Sequence, residues 1–142
     1  MMYKITIPGK PMAQGRPRFA SRGGIAVAYE KKDTKSSKAH IQHLAMAQLP
    51  DDYERFEGAV AVRIIAKFPC PKSKHRKRDP LAVKWKDNGP DVDNIAKHYM
   101  DALLASGLLA DDDRQVASLQ VLKVQAAQGD PPETIIEICP LE

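Results

Sequence analysis

Between Gly58 and Phe68 the apolar side chains fall on every second residue. Val60, Val62, Ile64, Ala66 and Phe68 share one parity, while Arg63 and Lys67 take the other. A period of two places alternate side chains on opposite faces of an extended chain, so this stretch is a strand with one face turned to a core. Pro69-Cys70-Pro71 ends it, because prolines remove ladder donors. A strand this apolar on one side needs neighbours and a covering layer, and the rest of the chain is read for both.

Tyr3, Ile5 and Ile7 alternate with Lys4 and Thr6, a short half-buried strand closed by Pro8-Gly9-Lys10-Pro11. Gln14–Phe19 is loop-like. Ile25–Tyr29 follows the Gly23-Gly24 turn signal as a second strand. Asp33, Thr34 and Ser36 offer caps for a helix to about Leu49, with Ile41, Leu44, Ala45, Gln48 and Leu49 on one stripe and Pro50 as its stop. Asp79-Pro80 opens a short helix towards Trp85. A longer helix starts near Asp93 or Asn94, buries Ile95, Tyr99, Ala102 and Leu103, and ends before Gly107. Val116–Gln125 and Thr134–Cys139 are strands that can pair as an antiparallel hairpin across the Gly129–Pro132 turn. The sum is one α+β domain over residues 1–142, a small mixed or antiparallel sheet with two main helices and a basic loop at about 69–90.

A chain of 142 residues is long enough to hold such a core without staples. Its two cysteines, Cys70 and Cys139, are far apart and form neither a disulfide framework nor a zinc knuckle. His40 and His43 lack a third ligand nearby and read as surface histidines. No apolar run approaches the ~20 residues of a membrane span. The first residues are too polar for a signal peptide, so a soluble, cytoplasmic protein with reduced thiols is expected.

The net charge of +4 conceals a division. Base collects at Arg16, Arg18 and Arg22 and in the run Lys72, Lys74, Arg76, Lys77 and Arg78, while acid collects at Asp91 and Asp93 and at Asp111–Asp113. A basic surface around an acidic pocket suits a polyanion held broadly and attacked locally. Arginines on either side of Pro17 offer planar forks for phosphate, although ordinary surface arginines near a strand end would look the same.

Pro90–Asp113 is where chemistry concentrates. In extended chain, Asp91 and Asp93 point to the same side and present their oxygens together. Magnesium takes hard oxygen ligands, and one or two carboxylates plus a substrate phosphate suit it. A cation would also relieve the repulsion between the two acids. Lys97 lies one helical turn beyond Asp93, where it can stabilise charge on a phosphate or instead pair with Asp101 on the surface. An outgoing helix followed by a returning strand would let Asp112 rejoin Asp91 and Asp93. The bland alternative is that these acids merely cap a helix.

The segment Asp91-Val92-Asp93-Asn94, then Lys97, Asp101-Ala102-Leu103, Gly107 and Asp111-Asp112, resembles the RusA family of Holliday-junction resolvases, phage-associated endonucleases. Ile7-Pro8-Gly9-Lys10-Pro11 with Arg16-Pro17-Arg18 is similar to the family's opening, and the family's size matches nearly the whole chain. The resemblance implies metal-binding catalytic carboxylates at Asp91, Asp93 and Asp112, with Asp113 as a possible substitute for the last, and an accessory catalytic lysine at Lys97. It also implies Mg²⁺ or Mn²⁺ as cofactor, a homodimer, and four-way DNA junctions as substrate in recombination and repair. Arg16, Arg18 and the Lys72–Arg78 cations would hold the DNA backbone. Unlike family members that carry basic residues directly before the first aspartate, this chain inserts Asp79–Pro90 between Arg78 and Asp91. Two alternatives stay open: a metal-dependent nuclease for other branched DNA, and a non-catalytic branched-DNA binder.

Overall fold

The computed structural model describes residues 2–15, 18–29, 32–111 and 113–141. Its main sheet has five strands in the order β1-β7-β4-β6-β5. These are β1 (Tyr3–Pro8), β4 (Val60–Phe68), β5 (Lys84–Trp85), β6 (Val116–Gln125) and β7 (Glu133–Pro140). A separate hairpin joins β2 (Arg18–Arg22) to β3 (Ile25–Tyr29). The helices are α1 (Lys32–Gln48) and α2 (Val92–Met100), the latter continued by a π-helical turn over Asp101–Ala105.

β4 is the centre of the sheet. It pairs antiparallel with β7 on one side and parallel with β6 on the other. Its alternation is realised as expected, with Val60, Val62, Ile64, Ala66 and Phe68 all buried. Their neighbours across the ladder, Ile136 and Ile138, join them in one core with Ile5 and Ile7 from β1. Ile41 and Ala45 of α1 and Ile95, Tyr99 and Leu103 on the α2 stretch close that core from the helical side. Fully burying a large aliphatic side chain stabilises by about 1.5–3 kcal/mol, so the buried isoleucines of β1, β4 and β7 hold the sheet to its helices.

Both main helices and the mixed sheet agree with the expected class. The expected β6–β7 hairpin does not form, because β4 lies between them. β6 arrives parallel to β4 after the α2 crossover, and β7 then fills the open slot between β4 and β1. The expected helix from Asp79 towards Trp85 is also replaced. Asp79 adopts φ 54°, and the chain then extends so that Lys84 and Trp85 pair with Gln125 and Val124 at the edge of β6. Part of the expected loop at Gln14–Phe19 is strand, since Arg18 and Phe19 pair with Tyr29 and Ala28. Gly23 and Gly24, at φ 58° and 83°, supply the two left-handed residues that a tight hairpin turn requires.

α1 and the sheet edge are tied by one amide. Gln48 accepts from Thr6 N at 2.8 Å and donates to Thr6 O at 2.7 Å, so a side chain caps the outer edge of β1. His40 and His43 are exposed on α1, and both cysteines are free thiols. Among the described residues no helix is long and apolar enough to cross a membrane.

Candidate active site

The β4–α2–β6 crossover dictates where the acids lie. β4 runs to Phe68, a long connection follows, and α2 then runs back along the sheet before β6 repeats the direction of β4. Asp91 and Asp93 therefore stand at the carboxyl end of a parallel strand pair, the place where open α/β sheets leave a crevice for ligands.

The two acids straddle the start of α2 and do not form the expected extended pair. Asp91 occupies the cap position in extended conformation (φ −72°, ψ 146°), and Asp93 is already in the first helical turn. Both are exposed. The partial positive charge of a helix N-terminus favours carboxylates here, by about 0.3–1 kcal/mol at exposed positions. Capping itself does not consume them: Asp91 makes no side-chain capping hydrogen bond, and its backbone carbonyl accepts Ile95 N at 3.2 Å. Lys97 is exposed one turn beyond Asp93 and forms no ion pair among the described residues. Asp101, its alternative surface partner, instead bonds Lys38 of α1 at 3.4 Å.

The opening segment is pinned against this helix. Met12 N donates to Tyr99 Oη at 3.0 Å, Tyr99 Oη meets Thr134 Oγ1 at 2.9 Å, and Gln14 N donates to Asn94 O at 3.0 Å. Burial holds the Tyr99 phenol above its ordinary pKa, so it remains a neutral anchor. These contacts bring the chain to the α2 N-terminus immediately before Arg16 and Arg18. Arg16 lies outside the described residues, and Arg18 is described only as the first residue of β2.

The connection before Asp91 is fastened by lysines that sequence reasoning missed. Lys123 of β6 donates to Asn88 O at 2.6 Å and to Pro90 O at 2.8 Å. Lys86 donates to Asn88 Oδ1 at 2.7 Å and lies 5.0 Å from the Phe68 ring centroid. Burial, then the charges of Lys123, Lys10 and Lys74, lower the Lys86 pKa from its ordinary value. Lys123 is paired with Ala66 on the face that Val121 and Leu119 share, so it stands on the helical side of β6. That inward lysine was the available signal.

Lys72, Lys74, Arg76, Lys77 and Arg78 are all exposed. Gln128 orders the run by accepting Arg76 N at 2.9 Å and donating to Arg76 O at 2.8 Å.

Asp111 and Asp113 lie elsewhere. α2 and its π-helical continuation carry the chain roughly 20 Å from Asp91 at 1.5 Å per residue. The return that chain length allowed is not taken over Gly107–Asp111. Phe56 bridges Ala110, Phe56 N donates to Leu109 O at 3.2 Å, and Arg55 pairs with Asp111 at 3.2 Å. Asp113 opens a short 3₁₀ turn into Val116, which pairs with Val60 at the start of β4. Asp111 and Asp113 are thus at the far end of the sheet from Asp91 and Asp93. Asp112 lies outside the described residues, and no group of three His, Cys, Asp or Glu able to hold a metal occurs among the described ones.

The family model for the endodeoxyribonuclease RusA matches residues 8–139. An uncharacterized protein of Bacillus subtilis (strain 168), YqaN, is 32% identical over 125 residues, covering 84% of this chain and 85% of its own. The match spans the pinned opening segment, the crossover that presents Asp91, Asp93 and Lys97, and the strands that support it. The chain belongs to the RusA family of endodeoxyribonucleases.

Proposed function

We propose that the protein is a structure-selective endonuclease that resolves four-way DNA junctions by divalent-metal-dependent phosphodiester hydrolysis, acting as a homodimer in recombination and repair. The observation that carries this reading is the state of the α2 N-terminus. Asp91 caps α2 without spending a side-chain hydrogen bond on it, and Lys97 stands one turn from Asp93 without an ion pair among the described residues. A purely structural acid cluster would spend these groups on each other.

The donor set fits a hard cation. Asp91 and Asp93 offer carboxylate oxygens at the start of α2, and Gln14, whose backbone N donates to Asn94 O, has a buried amide oxygen that finds no hydrogen-bond partner among the described residues. Mg²⁺ binds through one or two carboxylates plus substrate phosphate, and Mn²⁺ accepts the same oxygens. When bound, such an ion supplies Lewis acidity and lowers the pKa of water. Asp91 and Asp93 would hold it, and Lys97 would place positive charge where a phosphate gains negative charge. Hydrolysis joins the oxygen of water to phosphorus as one P–O ester bond breaks, and a proton reaches the departing oxygen.

Arg16, Arg18, Lys72, Lys74, Arg76, Lys77 and Arg78 grip the DNA backbone in this reading, making affinity salt-dependent. In this reading Asp112 completes the acid set, either within its own chain or across the two-fold axis of a homodimer.

The test is cleavage of a labelled four-way junction by wild type, Asp93→Asn and Lys97→Met, with Mg²⁺ or EDTA. Wild type should make paired, symmetric nicks near the crossover only with the metal. Asp93→Asn should abolish them, and Lys97→Met should lower the rate by about 10²-fold, the scale of one lost electrostatic stabiliser, with junction binding retained in both. Cutting by Asp93→Asn at the wild-type rate overturns the site, and binding without any cutting favours a branched-DNA binder.

A further inference from the structure

Trp85 is the chain's one tryptophan, and it is 69% exposed. It stands in β5 between Lys84 and Lys86, on a backbone that is held in place. Trp85 pairs with Val124, Lys84 pairs with Gln125, and Lys86 N donates to Lys123 O at 3.1 Å. Directly paired residues share a face, so the indole lies on the side of Val124, away from the buried Gln125. Among the described residues it makes no contact with another ring and has no cation over it.

An aromatic side chain normally buries most of its large apolar surface, and this one is fixed in the open instead. A ring carried on a paired strand is preorganised, so little order is lost when a ligand stacks on it. The surrounding charge selects the ligand. Lys84 is exposed beside the indole. Gln128, just beyond the end of β6, bonds Arg76 N at 2.9 Å and Arg76 O at 2.8 Å, and its own N donates to Leu81 O at 2.9 Å. The cationic run is thereby fastened to the end of β6 that β5 borders. A flat apolar ring set among cations fits a nucleobase, whose face stacks while the attached phosphates meet the cations.

The indole is also near the acids. Six residues of chain lead from Trp85 to Asp91, a span of at most ~20 Å, or roughly six nucleotides along one strand. Lys123, next to Trp85's partner Val124, ties the two ends of that span by bonding Pro90 O at 2.8 Å. In duplex DNA each base is enclosed by its neighbours, whereas bases at a branch point leave the stack at lower cost.

We propose that Trp85 is a stacking platform for a base unstacked at the branch point, and that it sets the preference for junctions over duplex. The platform rests on the reading of Asp91 and Asp93 as a nuclease centre for branched DNA, and its test reads binding alone.

With one tryptophan in the chain, intrinsic fluorescence reports Trp85 and nothing else. In EDTA, an unlabelled four-way junction should quench this emission and protect it from acrylamide, whereas saturating duplex should leave it open to acrylamide. Trp85→Ala should bind the junction about 5–150-fold more weakly, the range for one lost stacked base, and Trp85→Phe should recover most of that loss. The slope of log affinity against log salt should not move in Trp85→Ala, because no phosphate contact is removed. An indole still open to acrylamide in the junction-bound protein overturns the platform, as does equal protection by duplex or an unchanged affinity in Trp85→Ala. Protection that rises with protein concentration in the absence of DNA overturns it in favour of a contact between copies. Should Trp85→Ala misfold, the wild-type fluorescence decides by itself. Quenching by junctions in a protein that never cuts them overturns the nuclease reading and leaves the platform standing, while cutting with Trp85 unquenched does the reverse.

Discussion

Lys123 Nζ lies 2.8 Å from the carbonyl oxygen of Pro90, the residue immediately before Asp91, and 2.6 Å from that of Asn88. One side chain from β6 therefore fixes the segment from which the first acid projects. A hydrogen bond from a charged donor contributes about 1.5–3 kcal/mol, and misplacing a reacting group by about 1 Å can cost 10²-fold in rate. Lys123→Met should lower the single-turnover cleavage rate by about 10–100-fold, while the protein still binds junctions. Quenched-flow cleavage alongside anisotropy separates the two effects, and an unchanged rate would remove Lys123 from the positioning of Asp91.

Legibility followed how local each cause was. The alternation from Val60 to Phe68 needed no partner to be recognised, and the start of α2 announced itself by Asp91 and Asp93 before an apolar stripe. β5 could not be seen that way. Lys84 and Trp85 are strand only because Val124 and Gln125 offer an edge. The β6–β7 hairpin failed for a related reason: neighbours in sequence usually pair, but β4 has the most completely apolar face and takes both ladders. At the site, residue types and spacing were readable, while the lysines around Asn88 depend on β6 meeting the connection before α2 in space. Chain length alone allowed the acids to reconverge. Arg55, Phe56 and the bridge to Ala110 are what keep Gly107–Asp111 at the other end of α2.

Gly107 tests that anchoring. It turns the chain after the π-helical stretch at φ 78°, and a Cβ there would stand 3.3 Å from Arg55 Nη1, whose guanidinium donates to Gly107 O at 3.1 Å. Left-handed backbone costs a residue with a side chain about 1–2 kcal/mol. Gly107→Ala should therefore lower the melting temperature by roughly 2–8 °C for a domain of this size. Calorimetry on the two proteins checks it, and an undiminished melting temperature would show that the turn tolerates a side chain.

Whether a centre draws its closing acid from its own chain or from the partner is a question that subunit mixing reads. If each centre takes Asp91 and Asp93 from one subunit and the partner subunit's Asp112, then Asp93→Asn and Asp112→Asn homodimers are both inactive. Mixed dimers are different: one centre collects both substitutions, and the other collects none. Combining the two inactive proteins under conditions that allow subunit exchange should therefore restore nicking of a four-way junction. Because only one centre per mixed dimer is intact, single nicks should outnumber the paired cuts made by wild type. Were each centre built within one chain, every mixed dimer would carry a defect in both, and mixing would restore nothing. Size-exclusion chromatography with light scattering on the same samples supplies the control, since a monomeric protein could not share a site by this route. Recovered nicking would place the closing carboxylate across the two-fold axis, and persistent inactivity of exchanged dimers would return it to the chain that carries Asp91.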